Sequence, residues 1–552
     1  MTTRQSIVPA TLLACSLMLL ASAGAGAQDL EETSVPPNGG EEGEKTPGER
    51  ESTVVGLGEI LEGGQTSPSG TDPHNLFKVQ SKKPFPLDMA TAVRMAVENN
   101  LDIAAAAYDP LISETFEEEV LTSFDPLYFA NLSTNESKIP TASSLSGAAN
   151  LVQTRHHFDT GIRKRIYTGG TYELRFDLDR SKTNSAFSQL NPSYAGSAAI
   201  FASQPLLRGA GVERNLAAYR QARNATLIAT EAEADTIARI VTLVVLTYWD
   251  LDFAVGNLEV KRISLTRANK LLDENRQRFL VGAIIELDVI SAEVDVAQRE
   301  EELVVAEQRL KDTEEILKQL IQPLDPGFLA DYDLLPTTEP SRTIPVFDYI
   351  ELAQKALAQR WSLEQSRLDL ASRDIAVQVA EHDKLPLLDI NGSYALNSLD
   401  RHADSAVDDL DNGDFFTWGA GLSLEAPFGN RSAEVRLRQR QLELRQALLR
   451  HRALEDSVIL EVRTALRTVV SLRQLLDLSE QARELAGLQL EKEEARYREG
   501  LSTAFQVLDF QEDLATAESN ELQARVSLQK ALANLSFATG SILQDLGIVR
   551  VK

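Results

Sequence analysis

The sequence predicts an α+β protein built as a tandem repeat, in which long coiled-coil helices dominate and a smaller set of alternating strands interrupts them. Three observations carry this expectation. First, a β-like stretch closing on a proline occurs twice, in QPLLRGAG from Gln204 and EAPFGNRS from Glu425. Second, each runs into a long helical pattern that ends at an aromatic residue followed three residues later by glycine, in RQRFLVG (Arg276 to Gly282) and EARYREG (Glu494 to Gly500). Pro205 to Gly282 spans about 77 residues and Pro427 to Gly500 about 73, so the two copies differ by roughly one helical turn. Third, Ile237, Val241, Val244, Tyr248, Leu251, Val255 and Leu258 step by four and three, as do Val458, Val462, Ala465, Val469, Leu472 and Leu476, which is the seam of a coiled coil.

Residues 1–27 read as a signal peptide, because Arg4 precedes an apolar stretch from Ile7 to Ala23 and the small-residue site Ala25, Gly26, Ala27. The expected destination is outside the cytoplasm of a Gram-negative bacterium. The only cysteine, Cys15, lies inside that stretch after Leu12, Leu13 and Ala14. Removed with the signal, it leaves a chain without disulfides or thiolate metal sites; as a lipoprotein cleavage site, it would instead begin the mature chain. Residues 28–81 are rich in Glu, Gly, Ser and Pro and form an acidic leader too polar to offset the entropy of ordering.

Repeat 1 is assigned to residues 82–322, a Pro-rich linker to 323–345, repeat 2 to 346–540 and a C-terminal tail to 541–552. Each repeat opens with a helix, PLDMATAVRMAVENNLDIAAAAYD from Pro86 and VFDYIELAQKALAQRWSLEQSRLDLASRD from Val346. Strands follow. In TYELRFDLDR, Tyr172, Leu174, Phe176 and Leu178 take one face and Glu173, Arg175, Asp177 and Asp179 the other. Repeat 1 accommodates four strands, Leu127–Thr134, His157–Tyr167, Thr171–Arg180 and Tyr194–Ser203. Repeat 2 accommodates two, one around Leu388 to Asn397 and the other Phe416–Glu425. A helix from Val212 to Phe279 would be on the order of 100 Å long, more than three bilayer cores. Past Gly282 and Gly500, return helices of about half that length end near Ile321 and Ser536. Two shorter helices stacked end to end match one long helix, which suggests a helical cylinder carrying a strand barrel at one end.

Composition excludes several functions. The formal net charge of -27 argues against nucleic acid as a partner. No window after the signal reaches the roughly 18 uninterrupted apolar residues of a spanning helix, so membrane entry would require strands in a closed barrel. No catalytic group, cofactor or metal site is expected. His156 and His157 are adjacent and would point to opposite faces of a strand. Runs such as REEELVVAEQ read as solvated coiled-coil faces, and Gly169-Gly170 precedes no phosphate-binding helix.

The chain resembles the TolC-type outer-membrane efflux and secretion channel family over roughly residues 85 to 540. The resemblance rests on the helix openings at Asp88 and Asp348, on QPLLRGAG and EAPFGNRS, and on RFLVGAIIELDVISAEVDVA and RYREGLSTAFQVLDFQEDLATA. It implies a homotrimer whose strands form an outer-membrane β-barrel within the outer-membrane lipid and whose helices form a periplasmic α-barrel. It further implies docking onto a periplasmic adaptor protein and an inner-membrane pump or ABC transporter, and export through the lumen without catalysis. By the same resemblance, Gly282, Asp288, Tyr497, Gly500 and Asp509 belong to the periplasmic tip, Asp509 as a member of an acidic ring. Pro205, Gly209, Pro427 and Gly429 mark the junction of barrel and tunnel. Two departures stand out at the tip, where Ser502 stands in place of a helix-linking arginine and Gln506 in place of an acidic residue; the lock would then be weaker or use Arg498 instead. Six strands per copy would give an 18-stranded barrel in place of the family's usual 12. The competing reading is a periplasmic coiled-coil scaffold or adaptor without a pore, which explains the heptads but not the strands.

Overall fold

In the computed structural model, residues 83–321, 332–340 and 345–548 are described. The signal segment 1–27 and the leader 28–81 lie outside the described residues, as do parts of 323–345 and of the tail. The chain begins with β1 (Lys83–Leu87), then α1 (Met89–Asn99), α2 (Leu101–Ala106) and α3 (Tyr108–Thr122). Strands β2 (Leu127–Pro140), β3 (Asn150–Arg165), β4 (Thr171–Thr183) and β5 (Ser193–Pro205) lead into the short α4 (Val212–Asn215) and the long α5 (Ala217–Leu280). The return helix α6 (Glu286–Ile321) closes the first copy.

The second copy has β6 (Tyr332–Pro336), α7 (Tyr349–Gln359), α8 (Trp361–His382), β7 (Leu387–Asp400), α9 (Ala403–Asn412) and β8 (Phe416–Glu425). It continues with α10 (Arg431–Arg498), α11 (Ala504–Ala538) and α12 (Ile542–Asp545).

The repeat is visible in its caps. Asp88 and Asp348 both accept hydrogen bonds from the backbone two residues on, at 2.9 and 3.0 Å, and so cap α1 and α7. Both helices are 11 residues long and break at an extended residue, Asn100 or Arg360. The breaking side chain then ties the next helix to the end of the return helix. Asn100 Nδ2 donates to Leu320 O at 2.9 Å, and Arg360 Nη1 donates to Phe537 O at 2.5 Å. The side chain at each kink thus adds a donor to a carbonyl near the end of the return helix, where carbonyls run out of intrahelical partners.

The long helices α5 and α10 have 64 and 68 residues, about 95 to 100 Å of rise. Their heptad seams are the buried positions. Val241, Val244, Tyr248 and Leu251 have no exposed surface and belong to the largest core cluster, while Val458, Val462 and Val469 anchor two others. The span 323–345, expected as a linker, contains a strand: β6 pairs in parallel with β1, Phe85 opposite Leu334. The Tyr248 hydroxyl fastens this pair to α5, donating to Leu87 O at 2.9 Å and accepting from Thr337 N and Thr338 N at 3.1 and 3.0 Å. The region expected as a tail contributes α12, whose Ile542 is buried in the same cluster. A five-residue strand and a four-residue helix carry too little periodicity to be recognised before their partners are known.

The six other strands form one antiparallel sheet in the order β2-β3-β4-β5-β7-β8. All six expected strands are present, most of them longer than expected. The junctions with α3, α4, α8 and α10 lie at one end of the sheet, together with the tight β3–β4 turn, where Ile166 N donates to Gly170 O at 2.9 Å. The three long connections lie at the other end, and the last of them contains α9. Among the described residues, no helix is long and apolar enough to cross a membrane.

Candidate functional site

The register sorts the sheet into two unlike faces. Tyr128, Ile162, Leu174, Ile200, Tyr394 and Trp418 stand opposite one another in a single row across all six strands. All six are exposed. On the alternate face, the row Asn131, Asp159, Asp177, Ser197 and Asn397 is polar throughout. A soluble sheet buries its apolar face against a second layer. Among the described residues, α9 covers part of it at the far end, where its Ala406 carbonyl oxygen and Leu410 side chain lie 3.1 and 3.5 Å from the place of a Cβ on Gly196.

The polar face holds a cavity of about 470 Å³ lined in part by Arg163, Glu173, Phe201, Ser203, Asn391 and Ser393. Its charges interlock. Arg175 Nε lies 3.1 Å from Asp177 and its Nη2 3.7 Å from Asp159, while His157 reaches Asp159 at 3.2 Å and Asp179 at 3.1 Å. His156 points to the other face and contacts Thr134 Oγ1 at 3.1 Å. Among the described residues, no three His, Cys, Asp or Glu side chains are arranged to hold a metal ion.

At the opposite extreme of the molecule, each long helix turns back through the same motif. Gly282 and Gly500 have φ of 76° and 75°, the left-handed region that glycine enters without strain. The residue after each glycine donates back to the fifth residue before it, Ala283 to Arg278 O and Leu501 to Arg496 O, both at 2.9 Å. This is a Schellman closure, which satisfies the last carbonyls of the helix. Leu280, Val281, Ile285, Leu501 and Phe505 stand exposed around the two turns.

The two turns are joined by a buried cluster. Tyr497 is 4% exposed and Asn275 fully buried, and the Tyr497 hydroxyl donates to Asn275 Oδ1 at 2.5 Å. The Arg278 guanidinium covers the Tyr497 ring at 4.2 Å and donates to Tyr497 O at 3.2 Å. Asn275 Nδ2 also reaches Asp288 O at 3.4 Å. Burial pushes the Tyr497 phenol above its ordinary pKa, with Asp288 adding to the effect and Arg278 opposing it. Tyr497 and Asp288, singled out from the sequence, are therefore brought together. Asp509 is not part of the cluster; it is exposed one turn into α11 and forms no ion pair among the described residues.

Arg498 does not link helices within the chain, since it pairs with Glu494 of its own helix at 3.6 Å. Ser502 instead donates to the buried Glu493, which also holds Arg496 at 2.8 Å. The residues that sequence reasoning missed are Asn275 and Arg278. Their signal was present in ENRQRFLVG, where a polar residue sits four positions before the aromatic at a seam position.

At the sheet end, β5 ends at Pro205 and β8 at Glu425, two residues before Pro427. Gly209 and Gly429 follow with φ of 87° and 82°, so the two strand-to-helix turns share a left-handed glycine. A Cβ on either would meet nothing closer than 3.8 Å, so backbone conformation and not space demands the glycine.

A family model described as "Outer membrane efflux protein" matches residues 173–321 and 352–541. The outer membrane protein TolC of Vibrio cholerae is 26% identical over 323 residues, covering 56% of this chain and 70% of that protein. Among solved structures, the outer-membrane channel OprN superposes with a TM-score of 0.63 at 16% identity, covering 82% of this chain and 90% of OprN. The CmeC outer-membrane channel of Campylobacter jejuni gives 0.60 at 16% identity, over 87% of this chain and 95% of CmeC. These two likenesses are of fold. The β2–β3 hairpin, Leu127 to Arg165, lies before the first residue the family model matches.

Proposed function

The chain belongs to the outer membrane efflux protein family, and we propose that it is the outer-membrane channel subunit of a tripartite efflux or type I secretion system. The observation that carries this reading is the exposed apolar row across an edge-open sheet from one end of which helices of about 95 to 100 Å depart. That length crosses a periplasm, and such a face is at home only in lipid. β2 and β8 are free edges that run in opposite directions, so β8 of one copy can pair with β2 of the next antiparallel. Three copies of six strands then close an 18-stranded barrel, leaving no edge exposed. The polar face lines the lumen, and the long connections face outward.

The helices of the three copies form the periplasmic tunnel. At its tip, the exposed apolar residues around Gly282 and Gly500 are offered to a periplasmic adaptor protein, behind which stands an inner-membrane pump or ABC transporter. Tyr497 and Asp288 belong to the closure of that tip, and Asp509 contributes a threefold acidic ring at its mouth. Pro205, Gly209, Pro427 and Gly429 mark where barrel becomes tunnel. No step of chemistry is required of the chain. Membrane fractionation with planar-bilayer recording tests the reading: a heat-modifiable trimer in the outer membrane that conducts ions supports it, and release into soluble periplasm without conductance favours a scaffold without a pore.

A further inference from the structure

Four arginines converge on one cavity at the junction of sheet and helices. The cavity has a volume of about 670 Å³ and is lined by Arg208 from the turn after β5, Arg214 from α4, and Arg431 and Arg436 from the first turns of α10. Two carboxylates oppose them. Asp383 accepts from Arg214 at 3.0 Å, and Glu425 stands 3.9 Å from Arg208. Arg436 donates only to a neutral group, Ser432 Oγ at 2.9 Å, and Arg431 forms no ion pair among the described residues. Among the described residues of one copy, two guanidinium groups with no carboxylate partner thus face a cavity in a chain whose net charge is -27. The stretch from Arg431 to Arg452 carries seven arginines against two glutamates, and Arg431 and Arg436 are those that line the cavity.

Its chemistry and its place point the same way. Every cation lining the cavity is arginine, whose planar fork of donors matches phosphate oxygens and which is desolvated more readily than lysine. The cavity lies just past the last outward-facing pair of the sheet, Leu388 with Leu424, and Phe428 at its rim is fully exposed. If the sheet is the membrane wall, this is the level of the lipid phosphates.

We propose that this cavity is a binding site for a phosphate group, carried by a glycerophospholipid of the inner leaflet or by a soluble anion. Arg431 and Arg436 grip the phosphate oxygens, Arg208 and Arg214 are held at the back by their carboxylates, and Phe428 lies against the organic part of the ligand. The lipid source rests on the channel reading above; the phosphate chemistry does not.

The test uses purified full-length protein in non-ionic detergent, with melting temperature as readout. It is titrated with inorganic phosphate against chloride of equal ionic strength, and in parallel with mixed micelles of phosphatidylglycerol against diacylglycerol, which has the same tails and no phosphate. A saturable rise with both probes, or with either alone, supports the site and identifies its source. R431A/R436A should weaken the half-saturating concentration by roughly tenfold, while R438A, outside the cavity, should leave it unchanged. If the double variant does not assemble, R431A alone, an exposed and unpaired position, serves the same purpose. No saturable rise with either probe overturns the proposal, as does an equal effect in R438A or none in the cavity variants.

Discussion

Removing one hydroxyl at the tip isolates the contact that joins the two hairpins. In Y497F, the ring stays under Arg278 and the packing with Leu271, Leu490 and Val507 is retained, but the donor to Asn275 Oδ1 is gone. Asn275 has no exposed surface, so water cannot replace the lost partner without opening the cluster. Leaving a buried polar group unsatisfied costs about 1–3 kcal/mol. If the bond exists only in the closed tip, the closed-to-open ratio falls by roughly 5- to 150-fold per copy. R278A removes a cation–π contact worth about 0.5–1 kcal/mol and one hydrogen bond to the same residue, so the two substitutions should couple in a double-mutant cycle. Single-channel recording of Y497F, R278A and the double variant measures this, with higher mean conductance or open probability expected in each. Wild-type conductance in Y497F together with a lowered melting temperature would refute the gating role, because the bond would then stabilise both states equally.

Other perturbations probe the remaining parts. Asp252 of α5 has its carboxyl pKa raised by burial, with Arg525 opposing, so the folded protein holds its proton to higher pH than the unfolded chain and stability falls as pH rises through that window. D252N should therefore raise the melting temperature at pH near 8, with the gain vanishing as the pH approaches the ordinary carboxylate value of about 3.9; an equal shift at both extremes, or a loss at the higher pH, contradicts this. L174R places a charge in the exposed apolar row, at about 2–4 kcal/mol per copy if the row meets lipid near the midplane, and should abolish the heat-modifiable trimer. S197R on the polar face should assemble normally, and equal tolerance of both substitutions would remove the lipid assignment. G500A meets open space but must adopt φ near 75°, a strain of about 1–2 kcal/mol, so chemical denaturation should find G500N less destabilised than G500A.

Much of this architecture was legible because its signals are long. The seams from Ile237 to Leu258 and from Val458 to Leu476 extend over many turns, and chance rarely sustains a 3.5-residue period that far. The alternation of Tyr172 to Leu178 works for the same reason, and the register then carries it sideways across six strands. What escaped was short or tertiary. β6 and α12 acquire their identity from β1 and from the core cluster around Tyr248, partners far away in sequence. For the arginine missing at 502, the sequence pointed to a weaker link or to Arg498 in its place. The guanidinium that covers the Tyr497 ring comes from Arg278 of the other repeat, on α5, toward which Tyr497 faces.

If the tip is the closure proposed above, a duplicated chain holds it asymmetrically. The two Schellman turns are copies, and so are the kinks at Asn100 and Arg360. The lock is not a copy, since Tyr497 has Phe279 as its counterpart, and Phe279 is partly exposed with no hydroxyl to donate. The belt around Tyr248 is one large cluster shared by both repeats, whereas the tip is held by two small clusters, one around Leu271 and Tyr497 and one around Leu272 and Val296. The second of these binds α5 only to its own return helix. The first, together with the hydroxyl of Tyr497, binds one hairpin to the other. Further links between the hairpins lie nearer the belt, Arg267 with Glu518 at 3.4 Å and Ser519 with Asn257 at 2.8 Å, so breaking it loosens the join at the turns while each hairpin stays paired internally. On the proposed gating reading, the asymmetric bond favours the closed tip by about 1–3 kcal/mol per copy, the range in which a docking partner could bias the equilibrium.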